Sequence, residues 1–197
     1  MRRKTFDALV STGGLVLAAI LLVAGGLLMW AHSFANSNVH NQLSQQQIFF
    51  PDKAGIAAQK NADITKYVTP YAGQQVTNGQ QAEVYANHYI LNHLKEMPMG
   101  GVYANLSTAS RANPSDTTLA GAVDASFKGT TLRGMLLNAY AFWKIGEIAL
   151  WAAVSSFIAA GLLLLLSALG YLHLRRTSPE AEVLPKLGAH TPAPVER

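Results

Sequence analysis

Apolar positions fall into two long runs, separated by a region whose pattern is mostly that of helices. No Asp, Glu, Lys or Arg occurs between residues 8 and 51, and residues 9–31 are continuously apolar. Residues 148–174 are again free of charge. A bilayer core of roughly 30 Å needs about 20 helical residues, so each run is long enough to span it. A helix apolar on every side would find too little protein to hide in within a chain of this size. The pattern predicts two transmembrane helices. The first follows Arg2, Arg3 and Lys4, and Ser33-Phe34-Ala35 offers a small-x-small cleavage site, as in a signal peptide. Signal cores run only about 7–15 residues, however, so the longer run here reads as an uncleaved anchor.

Between the runs, residues 32–47 read as a polar extension of the first helix, broken by Pro51. Asn78 with Gln81 three residues on forms a capping-box signal. Ala82, Tyr85, Ala86, Tyr89, His93 and Met97 then recur at helical spacing as a buried stripe, ended by Pro98 and Gly100-Gly101. Short helices are predicted at residues 102–111 and 116–127. A new start is predicted at Thr130, after Gly129, for a helix continuing to Arg176. The expected fold is all-α: two transmembrane helices flanking a mostly helical extracytoplasmic domain. Its segments are a cytoplasmic N-terminus at 1–8, spans at 9–31 and 148–174, the extracytoplasmic domain at 32–147 and a disordered cytoplasmic tail at 175–197, where prolines recur.

Aromatic residues and charge refine the topology. Trp30, Trp143 and Trp151 fall near the outer ends of the spans, and Tyr171 precedes Arg175 and Arg176 at the inner end; such side chains favour the headgroup level. Glu147 stands directly before the second run. An acid deep in lipid is a functional hypothesis by default, but this one lies at the edge, so it reads as a boundary residue. The two tails carry seven bases against four acids, and the 116-residue loop carries eight against seven. Basic short tails place both termini in the cytoplasm of a plasma membrane. The net charge of +4 is then a topology signal, and nucleic acid is not an expected partner.

Small residues form a helix-packing stripe on each run: Gly14, Ala18 and Gly25 on the first, and Ala149, Ala153, Ser156 and Ala160 on the second. They allow close helix approach in lipid, either between the two spans or toward a homo-oligomer or membrane-protein partner. With no cysteine in the chain, disulfides and thiolate chemistry are excluded.

Three segments carry a resemblance: WAHSFANSNVHNQLSQQQIFFP, YAGQQVTNGQQAEVYANHYILNHL and FKGTTLRGMLLNAYAFWKIGEIA. They resemble a group of small actinobacterial membrane proteins with two spans and one extracytoplasmic loop, some labelled aromatic ring-opening dioxygenase. That label implies an open iron site of two histidines and a carboxylate. The loop offers His32, His40, His88 and His93, with Glu83 and Glu96. His88 and His93 lie five apart, about 140° around a helix, so they diverge. There is no nucleophile elbow and no phosphate-binding loop. Asn105-Leu106-Ser107 matches a glycosylation sequon, a weak signal. No cofactor and no metal ligands are expected. The function expected is a non-catalytic accessory subunit or scaffold in the lipid bilayer. The alternative is a sensor or carrier enclosing a small hydrophobic ligand between residues 48–50 and 85–89.

Overall fold

In a computed structural model, residues 2–176 and 178 are described, and these are almost entirely helical. The helices are α1 (Arg3–Gln46), α2 (Lys53–Ala58), α3 (Ala62–Val68), α4 (Gly79–Val84), α5 (Leu91–Glu96), α6 (Tyr103–Ala112) and α7 (Thr117–Arg176). A π-helical turn, Tyr85–Ile90, joins α4 to α5, and 3₁₀ turns occupy Thr69–Tyr71 and Pro98–Gly101. Among the described residues there is no strand; residues 48–50 pair briefly with 74–76, where Phe50 N–H donates to Gln74 O and Val76 N–H to Ile48 O. Most of the expected disordered tail lies outside the described residues.

The chain divides into two compact units. The first holds residues up to Leu28 and from Trp151 onward; the second is Met29–Leu150.

In the first unit α1 and α7 run antiparallel. Gly170 abuts Ser11, Gly14 abuts Ser167, and Gly25 lies against the ring of Phe157. Ala18, Ala153 and Ala160 are fully buried, and Ser11 and Ser167 nearly so. Small side chains therefore form the seam, and Thr12 Oγ1 and Tyr171 OH bond across it at 2.8 Å. The leucines and isoleucines on the other faces are left uncovered. The most apolar stretches of α1 and α7 are only 11% and 17% buried, and both helices are long and apolar enough to cross a membrane. A core helix of a water-soluble domain would instead be largely covered.

The second unit has a core of its own. Val39 and Leu43 of α1 and Leu136 of α7 pack with Phe50, Ile56, Ile64, Val68, Val76, Ala82, Ala86, Ile90 and Leu94. Its short helices are set by their caps. Asp52 Oδ1 accepts from Gly55 N–H, and Asn61 Oδ1 accepts from Asp63 and Ile64 N–H. Asn78 Oδ1 accepts from Gln81 N–H, while Gln81 Oε1 accepts from Thr77 N–H. The predicted capping box thus forms, with its return bond one residue earlier than Asn78.

Two expectations change. The helix predicted to start at Thr130 begins at Thr117, capped by Asp116 Oδ1, which accepts from Thr118 and Leu119 N–H. Gly129 does not break it: the missing Cβ makes room for the Leu94 side chain. The buried stripe also shifts. Ile90 and Leu94 join Ala82 and Ala86 on the buried apolar face in place of Tyr89, His93 and Met97, because a π-turn holds more than four residues and brings a spacing of four into line. Tyr85 and Tyr89 are left half-buried beside it.

Candidate functional site

Three constellations in the second unit bring together groups with chemical capacity. The first surrounds His88. Its Nδ1–H donates to Asp63 Oδ2 at 2.9 Å, and Asn92 Nδ2 donates to the same oxygen at 2.7 Å. The imidazole stacks on Tyr67 with ring centroids 3.8 Å apart, and Lys66 Nζ lies 4.8 Å from the other ring's centre. These two hydrogen bonds, the His88 bond first, hold the Asp63 carboxyl below the usual range, against a smaller opposing effect of burial. The π-turn carries His88 out toward α3, where Asp63 sits in the first turn.

The second constellation surrounds His32. Its Nδ1–H donates to the Gly146 carbonyl at 2.9 Å, and Asn36 Nδ2 lies 3.1 Å from Nε2. Glu147 Oε1 is 3.8 Å from the same Nδ1. Gly146 permits this approach, since a Cβ there would stand only 3.1 Å from the Cβ of Ala35. Glu147 therefore faces His32, and Lys144 turns toward the Trp143 ring.

The third is a groove of about 430 Å³ between residues 34–46 of α1 and 135–142 of α7. Its lining contains no ionisable side chain. Ala35, Val39 and Leu43 are buried beneath it, while Phe34, Met135 and Phe142 are exposed on its rim. Carboxamides Asn38, Gln42 and Gln46 follow one another along α1, with Asn138 on α7.

No family model, curated protein or solved structure matches this chain.

Chemistry must therefore be read from the side chains themselves. His93 is held by its neighbours: Nδ1–H donates to Tyr89 O at 2.8 Å and Nε2 lies 3.2 Å from the Gln59 amide oxygen. The two histidines have different partners, Asp63 for His88 and Gln59 for His93. Among the described residues, no three His, Asp or Glu side chains gather so as to hold a metal ion.

The aromatic lining expected for a hydrophobic cavity packs on itself. Phe50 stacks on Tyr71 and meets Tyr85 edge-on at 5.2 Å, and Tyr85 leans on Tyr89 at 4.9 Å. Burial, with the neighbouring Tyr89 second, pushes the Tyr85 hydroxyl up to about 12, so it stays neutral.

The residues expected at the membrane edge divide. Trp30 and Trp151 are 66% and 69% exposed. Trp143 is half-buried against the core, where Gly79 leaves room for it; any Cβ at Gly79 would overlap the Trp143 side chain. Tyr171 is half-buried, and Arg175 and Arg176 are exposed in the last turn of α7. Of the packing stripe, Ala18, Gly25, Ala149, Ala153 and Ala160 are buried, and Gly14 and Ser156 are half-buried.

Sequence reasoning missed Asp63 and Asn92 as partners of His88. It also missed Ser11, Ser167 and Gly170 in the seam, and the whole groove. Spacing alone held a signal for the seam: Ser11, Ala18 and Gly25 recur every seven residues, as do Ala153, Ala160 and Ser167. Asp63 and His88 lie 25 residues apart on different helices, and no local pattern joins them.

Proposed function

We propose that this is a two-span plasma-membrane protein with both termini in the cytoplasm, serving as a non-catalytic accessory subunit or scaffold. Its second unit is the extracytoplasmic part and docks a partner. The observation that carries this reading is a rigidly held apolar patch at Met99, Val102, Tyr103 and Phe127, which are 50%, 49%, 45% and 57% exposed.

The patch rests on an unusual turn. Met99, Gly100 and Gly101 all have positive φ, at 54°, 65° and 66°. A bulky residue rarely adopts that conformation, and here the surroundings enforce it. Fully buried Ser126 Oγ donates to Gly101 O at 2.6 Å, and Gly101 packs against the Leu94 backbone so closely that no side chain fits. Tyr103 and Phe127 then sit with ring centroids 5.8 Å apart on α6 and α7. Exposed aromatic anchors on a fixed backbone suit a binding surface, because little entropy is lost on docking.

The small-residue stripes serve mainly to pack α1 on α7 within the chain, so the partner surface falls to this unit. The test is extraction from the native host into nanodiscs, with mass spectrometry of what co-purifies. A stoichiometric protein that is lost on Tyr103→Asp supports the reading. A protein that comes out alone, or a partner indifferent to Tyr103→Asp, overturns it.

A second reading, a sensor or carrier of a small hydrophobic ligand, is favoured by one observation. The α1/α7 groove has ligand-pocket dimensions and apolar walls. In this reading the ligand sits there, since Phe50, Tyr85 and Tyr89 pack against one another instead of lining a cavity.

A further inference from the structure

The α1/α7 groove combines three properties that together restrict what can occupy it. Its volume, about 430 Å³, falls within the range of roughly 300–1,000 Å³ found for small-molecule sites. Its floor is hydrocarbon: Val39 and Leu43 are 6% and 2% exposed. Its polar positions are all carboxamides.

A charged headgroup would lose water there and meet no counter-charge, which disfavours it in an apolar setting. An uncharged hydroxyl, sugar or amide would find both donors and acceptors. Gln42 Nε2 already donates to Asn38 Oδ1 at 2.7 Å, which fixes both amides and leaves Gln42 Oε1 and Asn38 Nδ2 with hydrogen-bonding capacity. Gln46 lies one turn further along the same helix face, and Asn138 lines the groove from α7.

The apolar floor demands a hydrocarbon chain as well as such a head. The groove's first lining residue on α1, Phe34, comes only three residues after the continuous apolar run ends at Ala31. Phe34 and Phe142, 55% and 56% exposed, give it an uncovered aromatic rim. Along α1, the groove therefore begins about 5 Å from that run, at 1.5 Å per residue.

We infer that the groove holds a single bilayer lipid with an uncharged, hydroxyl- or sugar-bearing head. The acyl chain lies on Val39 and Leu43, and the head hydrogen-bonds to the carboxamides of Asn38, Gln42 and Asn138. This rests on the second reading above and names its ligand class.

The test uses the full chain in phosphatidylcholine nanodiscs doped with diacylglycerol whose tail carries a diazirine. Phosphatidic acid with the same tail serves as the charged control, and adducts are mapped by mass spectrometry. Diacylglycerol adducts should concentrate in residues 34–46 and 135–142, at least fivefold over phosphatidic acid. Met135→Trp, at an exposed rim position, and Ala139→Phe should each lower groove adducts severalfold and leave adducts on residues 9–28 unchanged. Gln42→Arg should shift the preference toward phosphatidic acid.

Equal labelling by the two lipids overturns the inference. So do adducts confined to the apolar helices, groove labelling undiminished in either blocking variant, or a polypeptide found cross-linked in the groove. A free hydrophobic molecule co-purifying while groove labelling fails would preserve the second reading and refute only this assignment. Loss of partner capture on Tyr103→Asp leaves the lipid readout unaffected.

Discussion

Asp63 shows how an ordinary surface acid becomes a structural one. Its Oδ2 gathers His88 Nδ1–H and Asn92 Nδ2–H, and the bonded carboxylate is thereby favoured over the acid form. A carboxyl whose folded pKa lies below its unfolded value of about 3.9 stabilises the fold above that pH. That contribution disappears as pH falls through the lower, folded value. The side chain is 42% exposed, so water screens the interaction and about 1 kcal/mol or less is at stake. Asp63→Asn should therefore lower the melting temperature modestly at pH 7 and flatten its decline below pH 4; an unchanged acid limb in detergent melts would refute the assignment. Glu147 is the contrasting case. His32 bonds the Gly146 carbonyl at 2.9 Å, and the Glu147 carboxylate stands further off, at 3.8 Å. Glu147→Gln should leave insertion and folding intact, with less than about 1 kcal/mol lost. A severe assembly defect would show that the carboxylate does more than mark an edge. Neither Asp63 nor Glu147 could be paired with a histidine from sequence, since both partners are distant along the chain.

At the scale of elements, caps and breaks were more legible than continuity. Asn78 with Gln81 fixed the start of α4, and Pro98 with Gly100-Gly101 fixed the end of α5. The continuity of α7 through Gly129 was not legible, because what a glycine does inside a helix depends on its neighbour. Here the neighbour is Leu94, whose methyl groups occupy the space a side chain would take. The π-turn at Tyr85–Ile90 was equally hidden: it re-phases the stripe so that Ile90 and Leu94 face the core, and only the packed core reveals which phase wins. The turn at Met99–Gly101 offers a sharp check on element packing. Ser126→Ala removes the hydroxyl that satisfies the buried Gly101 carbonyl and leaves it without a partner. Such a loss costs about 1–3 kcal/mol. Faster amide exchange at residues 99–103, with the rest of the second unit little changed, is the expected outcome; uniform exchange across that unit would assign Ser126 to the global core instead.

For the whole molecule, the seam and the charge asymmetry make separate claims. Gly14, Ala18, Gly25, Ala153 and Ala160 allow two apolar helices to approach closely, and their seam leaves the bulky aliphatic faces bare. Bare aliphatic faces fit lipid, where no hydrophobic force drives leucines together and small-residue packing holds helices in contact. Orientation should then follow the basic flanks. Under the proposed topology, replacing Arg175 and Arg176 with glutamine should produce a mixed orientation of C-terminal reporter fusions, because positive charge flanking a span favours the cytoplasmic side. Unchanged single orientation would shift the topological weight to Arg2, Arg3 and Lys4.

The sequence by itself determined the helical class, the two bilayer-length apolar helices and the helix extending to Gln46. Those follow from composition and short-range periodicity, which act over one or two turns. Only the tertiary structure decided that His88 meets Asp63 and that Gly79 seats Trp143. It also decided that three left-handed residues hold an apolar patch and that an uncharged groove opens between α1 and α7. Each depends on side chains 25 to about 110 residues apart brought into contact, and such contacts are fixed by how whole helices pack rather than by any local pattern.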